Sequence, residues 1–383
     1  MRITWVTRSF LDYRIPIYKK LSELNNDEFY LIYCDEEHVN PKRVRDKIKL
    51  VLGDRAIGMK GEICLGEPYK SGQISNKHFR IFFQPKLISN IKKTRPDVII
   101  TDAFNHWTLP VFFLKICGYK FKHIVCYERT LHTERNAKKL KLKFIRYAQR
   151  WIDYIHVNGS LCKEFLLYLG YPLYKIKNGN MSADTTGLEE KLKRIKENEI
   201  INLKDKLNLC ETVYLFIGRL IELKGVKQLL NAWSKANLKD ASLLIIGDGP
   251  QKDELNNIIV CNCLNNIKML GAIDYNNIGL YYRISDCFIM PTLDDNWSLV
   301  IPEAMSCRLP IISSIYNGCW PELVKKENGW TFDPLSEESF INVLNESFRN
   351  RNSFDIMGKK SYEIVQNFTA EKNANRIYNT CKL

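Results

Sequence analysis

Among its 383 residues the chain carries twelve cysteines, yet none forms a pair with the two-residue spacer of a zinc or dithiol site. The cysteines, at 34, 64, 117, 126, 162, 210, 261, 263, 287, 307, 319 and 381, are scattered, and Cys126 in HIVCYE and Cys287 in SDCFIMP fall inside apolar runs. They read as reduced thiols of a cytosolic protein. A membrane span is missing too: the longest apolar stretch, Leu109 to Cys117, is broken by Lys115 and falls short of about 20 residues. The opening MRITWVTRSF has no apolar core behind its arginine, so it reads as a first strand and not as a signal peptide. There is no metal-ligand cluster, internal repeat, low-complexity segment, helix-turn-helix or RNA-binding module. Metal and nucleic acid are therefore not expected as partners, and any membrane attachment is expected to be peripheral.

What is present is the material of a folded protein, with 45% hydrophobic and 26% charged residues. The length fits two domains of roughly 150 to 200 residues. The net charge of +14, from 57 Lys and Arg against 43 Asp and Glu, makes an anionic partner plausible without choosing among phosphate, membrane and nucleic acid.

The first half alternates β-branched or aromatic runs (ITWVT, FYLIYC, DVIIT, HIVCY, DYIHVN) with longer amphipathic ones, the grammar of a doubly wound parallel sheet. Residues 52 to 80 are rich in Gly, Lys and Ser and are expected to form a long loop. A charged stretch near 185 to 205 marks the connection, after which alternation restarts with TVYLFIG, SLLIIG, IKMLG, DCFIMP and PIISS. The expected fold class is α/β, with two Rossmann-like units: residues 1–187, residues 188–365, and a terminal helix over 366–383 that is open to crossing back onto the first unit.

Two stretches of the second half carry chemistry. FIGRLIELKGVKQLLNAW runs from a buried strand through Gly218, Arg219, Lys224 and Gly225 into a helix; glycine admits close backbone approach, and the two cations suit a diphosphate. A tight turn with two solvated basic residues fits that segment equally. Gly247-Asp248-Gly249-Pro250 lacks the full dinucleotide fingerprint and reads first as a structural turn. In MPTLDDNWSLVIPEAMSCRLPIISS, Ser298 is expected to cap a helix over Leu299 to Cys307, whose start would offer the N–H groups of Trp297, Ser298 and Leu299 to phosphate. Asp295 and Glu303 could flank one ligand and accept from vicinal hydroxyls, or act as helix-start carboxylates favouring the dipole.

FIGRLIELKG, IGDGP, LGAI, MPTLDDNWSLVIPEAM and NGCWPELV with NGWTFDP, in that order over roughly residues 210 to 335, resemble the nucleotide-binding half of family 4 glycosyltransferases of the GT-B fold. IPIYKKLSEL and KIKNGNMSAD match the first half more loosely. The resemblance implies two domains facing a central cleft, and retaining, metal-independent transfer of a sugar, hexosyl-like, from a UDP- or GDP-linked donor, with no other cofactor. It implies that Arg219 and Lys224 neutralise the diphosphate, Glu303 holds the ribose and Asp295 contacts the donor sugar. Gly218, Gly247, Gly271, Trp297, Ser298 and Leu299 complete the donor side, base recognition running through backbone near Gly271 to Ile273. Asp295 stands where the family usually has Glu, and Thr7-Arg8-Ser9-Phe10 where it usually has a glycine pair.

On the acceptor side, TDAFNHWTLP and CYERTLHTER follow strands and supply Asp102, His106, Glu128, Arg129, His132 and Glu134. Glu128 falls near the family's active-site histidine and is the catalytic candidate beside Asp295, Arg219 and Lys224. The helix AKKLKLKFIRYAQRW carries Lys138, Lys139, Lys141, Lys143, Arg146 and Arg150 with no acid between them, fitting either a solvated face or an anionic membrane surface. The expected function is transfer of sugar to a glycan or lipid-linked acceptor in cell-surface polysaccharide or glycolipid synthesis, in the cytoplasm or at the inner face of the cell membrane. The alternatives are an inactive GT-B scaffold and a sugar-nucleotide epimerase of that fold.

Overall fold

The computed structural model describes residues 1–66, 80–179, 181–183, 185–236 and 238–383. The chain divides into two compact units, Met1–Ser182 with Ala370–Leu383, and Ala183–Thr369.

The first unit runs β1 (Ile3–Thr7), α1 (Ile15–Leu24), β2 (Phe29–Cys34), α2 (Lys42–Leu52), β3 (Ala56–Met59), β4 (Ile63–Gly66), β5 (Arg80–Phe83), α3 (Leu87–Thr94), β6 (Val98–Asp102), α4 (Leu109–Ile116), β7 (Lys122–Tyr127), α5 (Lys139–Ala148), β8 (Tyr154–Val157), α6 (Ser160–Tyr168) and β9 (Ile176–Asn178). Seven strands form one parallel sheet in the order β3-β2-β1-β6-β7-β8-β9. β1 is buried along its length and β2 at every position but Tyr30, because a parallel sheet is covered on both faces. Trp5, Tyr18 and Phe29 pack on the side of α1 and α2, whereas Val6, Ile99, Val125 and Ile155 pack under α3 to α6.

The loop expected over 52 to 80 is corrected in part: Ala56–Met59 is the edge strand β3, and β4 pairs antiparallel with β5. Both strands are four residues long, and β3 contains Gly58, so neither has a pattern of its own; pairing with a neighbour defines them. Residues 67–79 lie outside the described residues, as do Asn180 and Asp184 of the KIKNGNMSAD segment.

The second unit runs α7 (Thr185–Leu192), α8 (Glu197–Leu207), β10 (Thr212–Ile217), α9 (Val226–Lys235), β11 (Ala241–Ile246), α10 (Lys252–Cys261), β12 (Ile267–Gly271), α11 (Ile278–Arg283), β13 (Cys287–Met290), α12 (Val300–Ser306), β14 (Ile311–Ser314), α13 (Trp320–Leu323), β15 (Gly329–Phe332), α14 (Glu337–Arg349) and α15 (Phe354–Val365). Its parallel sheet has the order β12-β11-β10-β13-β14-β15.

The last helix, α16 (Ala370–Lys382), lies in the first unit against α1. Ala374, Ile377 and Cys381 enter that core, Lys122 Nζ donates to the Cys381 carbonyl at 2.8 Å, and His156 Nε2 lies 2.7 Å from Thr380 Oγ1. The units divide at 182/183 and 369/370, a few residues from the boundaries read at 187/188 and 365/366. The reason is packing: Leu188 and Leu192 of α7 rest against Gly279 of α11, and Phe368 beyond α15 packs on Trp297.

Candidate functional site

β10 and β13 are neighbours, but the chain leaves β10 toward β11 and β13 toward β14. Such a switch point opens a crevice at the carboxyl ends of the strands, where doubly wound sheets bind ligands. The loops meeting there are joined backbone to backbone. Gly218 N–H donates to Ile246 O at 3.0 Å, Leu220 N–H to Asp248 O at 2.9 Å, Gly247 N–H to Gly271 O at 2.8 Å and Leu293 N–H to Leu223 O at 2.8 Å. A Cβ on Gly247 would stand 1.8 Å from Gly218 O, and one on Gly225, at φ +68, would stand 2.0 Å from Pro291 O. Glycine is required at both positions for this closeness.

Asp295 organises the polar side of the crevice. Its Oδ2 pairs with Lys224 Nζ and accepts from Ser298 Oγ at 2.5 Å, and its Oδ1 accepts from Trp297 N–H at 3.1 Å. Its own backbone is bracketed by Tyr316 O and Gly318 N. A carboxylate offers about four acceptor positions, so about one stays available to a ligand hydroxyl after three donors. The Lys224 and Asp295 side chains are each less than a fifth exposed, so the pair is held in a partly desolvated place. Glu303, half-buried in α12, accepts from Tyr282 OH at 3.1 Å. Burial, and next the Glu303 charge, push the Tyr282 phenol well above its ordinary value, which keeps it a donor. Arg219 is exposed directly after β10.

Two expectations are corrected. Ser298 does not cap: α12 starts at Val300 with Leu299 at its N-cap, and the Ser298 hydroxyl turns to Asp295. The N–H groups of Trp297 and Ser298 are also engaged, by Asp295 Oδ1 and by Asn317 Oδ1 at 3.3 Å. The two N–H groups are thus satisfied by side chains on either side of the loop, Asp295 for Trp297 and Asn317 for Ser298.

In the first unit the corresponding switch point lies at β1 and β6. A cavity of about 390 Å³ opens there, lined by Arg8, Arg14, Tyr18, Asp102 and Glu128 among others. Asp102 Oδ2 accepts from Trp5 Nε1 at 3.2 Å, while its buried Oδ1 and the buried Tyr18 hydroxyl have no hydrogen-bond partner among the described residues. His106, Arg129 and His132 are not among the lining residues. Arg129 Nε stands 3.8 Å from the buried Glu134, which Lys141 also engages at 2.6 Å, so Glu134 serves structure. His106 lies edge-on to Phe82, and burial followed by the nearby Arg8 charge lowers its pKa.

The sequence reading missed Glu62. Its carboxylate is buried and takes Arg8 in a two-pronged contact (Nε at 2.9 Å, Nη2 at 2.7 Å) and Trp107 Nε1 at 2.7 Å. The Arg8 guanidinium also lies 3.8 Å from the centre of the Phe82 ring. No spacing signals this group, since its members are 45 to 54 residues apart along the chain. Tyr282, which holds Glu303, likewise carried no motif, and Asn317, which holds the Asp295 loop, opens the NGCWPELV motif but was not singled out as a site residue.

Residues 197–364 match the family model of glycosyl transferases group 1. The chain is 25% identical over 338 residues to the sulfoquinovosyl transferase SQD2 of Arabidopsis thaliana, covering 85% of this chain and 63% of that one. It is 26% identical over 293 residues to the amylovoran biosynthesis glycosyltransferase AmsD of Erwinia amylovora, covering 73% and 78%. A match to an uncharacterized glycosyltransferase of Methanocaldococcus jannaschii covers 44% of that protein, so the chain spans less than two thirds of some relatives. The structure of Anabaena Alr3699/HepE in complex with UDP superposes with a TM-score of 0.74 over 100% of both chains at 16% identity, which shows the fold.

Proposed function

From the match of residues 197–364 to the family model of glycosyl transferases group 1, on a GT-B fold, we propose that this chain transfers a sugar, with retention, from a nucleoside-diphosphate donor to a glycan or lipid-linked acceptor. The observation that carries the reading is the β10/β13 crevice, where Asp295 is braced by Lys224 and Ser298 and Glu303 by Tyr282. A related structure holds UDP, and named relatives are a sulfoquinovosyl transferase and an amylovoran biosynthesis enzyme, which favours a nucleotide-sugar donor and a cell-surface or lipid product.

In this reading Glu303 accepts from the ribose hydroxyls, with Tyr282 fixing its rotamer. Asp295 accepts from a donor-sugar hydroxyl at its remaining acceptor position. Arg219 and Lys224 face the diphosphate, and Lys224 exchanges part of its contact with Asp295 for phosphate oxygen. As the bond from sugar C1 to the diphosphate oxygen breaks, charge grows on that oxygen, and the two cations stabilise it without a metal ion. The acceptor oxygen bonds to C1 from the face the diphosphate leaves, and its proton passes to the departing diphosphate. The chain works in the cytoplasm or at the inner face of the cell membrane.

The test is a panel of UDP- and GDP-sugars read first by thermal shift, where a donor at a hundredfold over its dissociation constant adds about 2.7 kcal/mol. Release of nucleoside diphosphate is then measured with the stabilising donor. Glu303→Ala and Arg219→Ala are each expected to lower turnover by about a hundredfold. A protein that binds nucleotide normally but turns over no donor with any acceptor mixture is a binding protein, and the reading fails.

A further inference from the structure

Two helices of the first unit expose apolar residues in the same register. α4 shows Leu109, Phe113 and Ile116 to solvent, and α5 shows Leu140, Phe144 and Tyr147, all between 37% and 80% exposed. The spacing in both is i, i+4, i+7, one face of a helix. Each helix buries a different face: Val111, Phe112 and Leu114 in α4, and Ile145 and Ala148 in α5. The exposed stripes are therefore not the cores of these helices turned outward by chance; each helix is apolar on two sides.

The stripes belong to one surface. The crossovers from β6 to β7 and from β7 to β8 run in the same direction across the sheet, which puts α4 and α5 on the same face. The Phe144 ring lies 6.1 Å from Phe112 and 6.3 Å from Phe104, and Trp151, just beyond α5, lies 6.3 Å from Phe112. A cationic rim follows α5, where Lys138, Lys139, Lys143 and Arg150 are exposed and no acid occurs between Ala137 and Gln149. The carboxylates that flank this stretch along the chain are already committed, Glu134 to Lys141 and Asp153 to Lys115.

We propose that the α4/α5 face docks on an anionic lipid bilayer, Leu109, Phe113, Ile116, Leu140 and Tyr147 entering the headgroup boundary while the lysines of α5 meet lipid phosphates. The charge argues for this occupant. A second copy of the chain placed on the face by a two-fold axis sets lysine row against lysine row, whereas an acidic bilayer matches both the apolar stripes and the cations. The opposite face of the sheet is closed by α1, α2 and α16, and among the described residues of these helices Leu50 is the one large apolar side chain counted as exposed, so no stripe forms there. Among the described residues no helix is long and apolar enough to cross a membrane, so attachment through this face is by one leaflet. The proposal deepens the reading of a lipid-linked acceptor, because it brings the enzyme to the surface where such acceptors lie.

The measurement is cosedimentation of the full chain with vesicles, 30% phosphatidylglycerol in phosphatidylcholine against phosphatidylcholine alone, without donor or acceptor, so that failure here is separate from failure of the sugar-transfer reading. Binding to the anionic vesicles is expected. The triple variant Lys138→Ala, Lys139→Ala, Lys143→Ala should lower the partition by about a hundredfold, on the order of fivefold per lysine. The variant Phe113→Ser, Leu140→Ser, Tyr147→Ser should lose the binding that survives high salt. Both keep the buried faces of the helices, and circular dichroism with donor hydrolysis in solution reports intact folding. The proposal is overturned if the chain ignores anionic vesicles, if the serine variant binds as well as the parent, or if an acidic protein is retained by this face while vesicles are not.

Discussion

The crevice at β10 and β13 is shaped by backbone, and the cavity at β1 and β6 by side chains. In the second unit, loops approach until glycine is required, as at Gly225 and Gly247. In the first unit the equivalent loop is Thr7-Arg8-Ser9-Phe10, and its place is held by Arg8 on Glu62 and Phe82 and by Trp5 on Asp102. Backbone crevices tolerate few substitutions but give a constant shape; side-chain cavities can be rebuilt without moving the sheet. Under the proposed function, a donor common to many enzymes suits the former, and an acceptor that varies suits the latter.

The largest separation of the two units should come from acid. All six histidines lie before residue 160, hence in the first unit. Burial first, helped for His156 by Lys177 and Arg376, lowers the pKa of His123 to about 4 and of His156 to about 3. The unfolded chain binds these protons more readily, so the stability they contribute is complete above about pH 6.5 and is lost as pH falls toward the folded values. At pH 5 each costs about 2 kcal/mol, about 4 together. Asp286 of the second unit, raised chiefly by burial, pushes its unit the other way in the carboxylate range. Hydrogen exchange at pH 7 and pH 5 should show the first unit loosening before the second. Equal loosening breaks the contrast.

Gly225→Ala should come next. It forces a left-handed residue, at about 1–2 kcal/mol, and drives a methyl into Pro291 O, at about 1–3 kcal/mol more, for a loss of about 3 kcal/mol in unfolding free energy by denaturant titration. Donor affinity should fall with it, since Gly225 follows Lys224. A neutral outcome would mean that the loops can separate. In the first unit, Glu62→Ala leaves Arg8 and Trp107 without their shared acceptor. Arg8 is about a quarter exposed and can be rehydrated, so the loss should be about 2 kcal/mol and not the full cost of a broken buried pair. Near-wild-type donor hydrolysis with changed acceptor turnover would sharpen the division of labour.

This contrast also sets what could be read in advance. The second unit was legible because glycine, helix starts and acidic residues recur in a fixed order along a short stretch, from FIGRLIELKG to NGWTFDP. Strands such as ITWVT and FYLIYC were legible because burial on both faces favours β-branched and aromatic residues and leaves no charged position. Glu62 was not, because its importance depends on Arg8 and Trp107 far along the chain. The Ser298 cap failed for a local reason: α12 begins at Val300 with Leu299 at its N-cap, and the Ser298 hydroxyl instead donates to the Asp295 carboxylate three residues earlier.

The smallest expected effect lies at Arg308, which, like Asn208 and Cys263 of the same unit, takes a left-handed backbone without being glycine. It follows α12 at φ +61, with its N–H on Met305 O at 3.0 Å and Leu309 N–H on Ala304 O at 3.1 Å, the helix ending that glycine usually fills. The conformation is imposed by α15, whose Gly358 lies so close that a Cβ would stand 1.9 Å from Arg308 O. Arg308→Gly removes left-handed strain of about 1–2 kcal/mol but gives the unfolded chain back about 0.4–1 kcal/mol of freedom and loses the exposed contact with the Tyr362 ring, about 0.5 kcal/mol. The net expectation is a gain of about 0.5 kcal/mol in urea unfolding. Arg308→Asn, which tolerates the left-handed region and also lacks the ring contact, should fall between the two. A loss in both variants would show that the cation over Tyr362 outweighs the backbone strain, and that this turn, unlike those at Gly225 and Gly247, is held by a side chain.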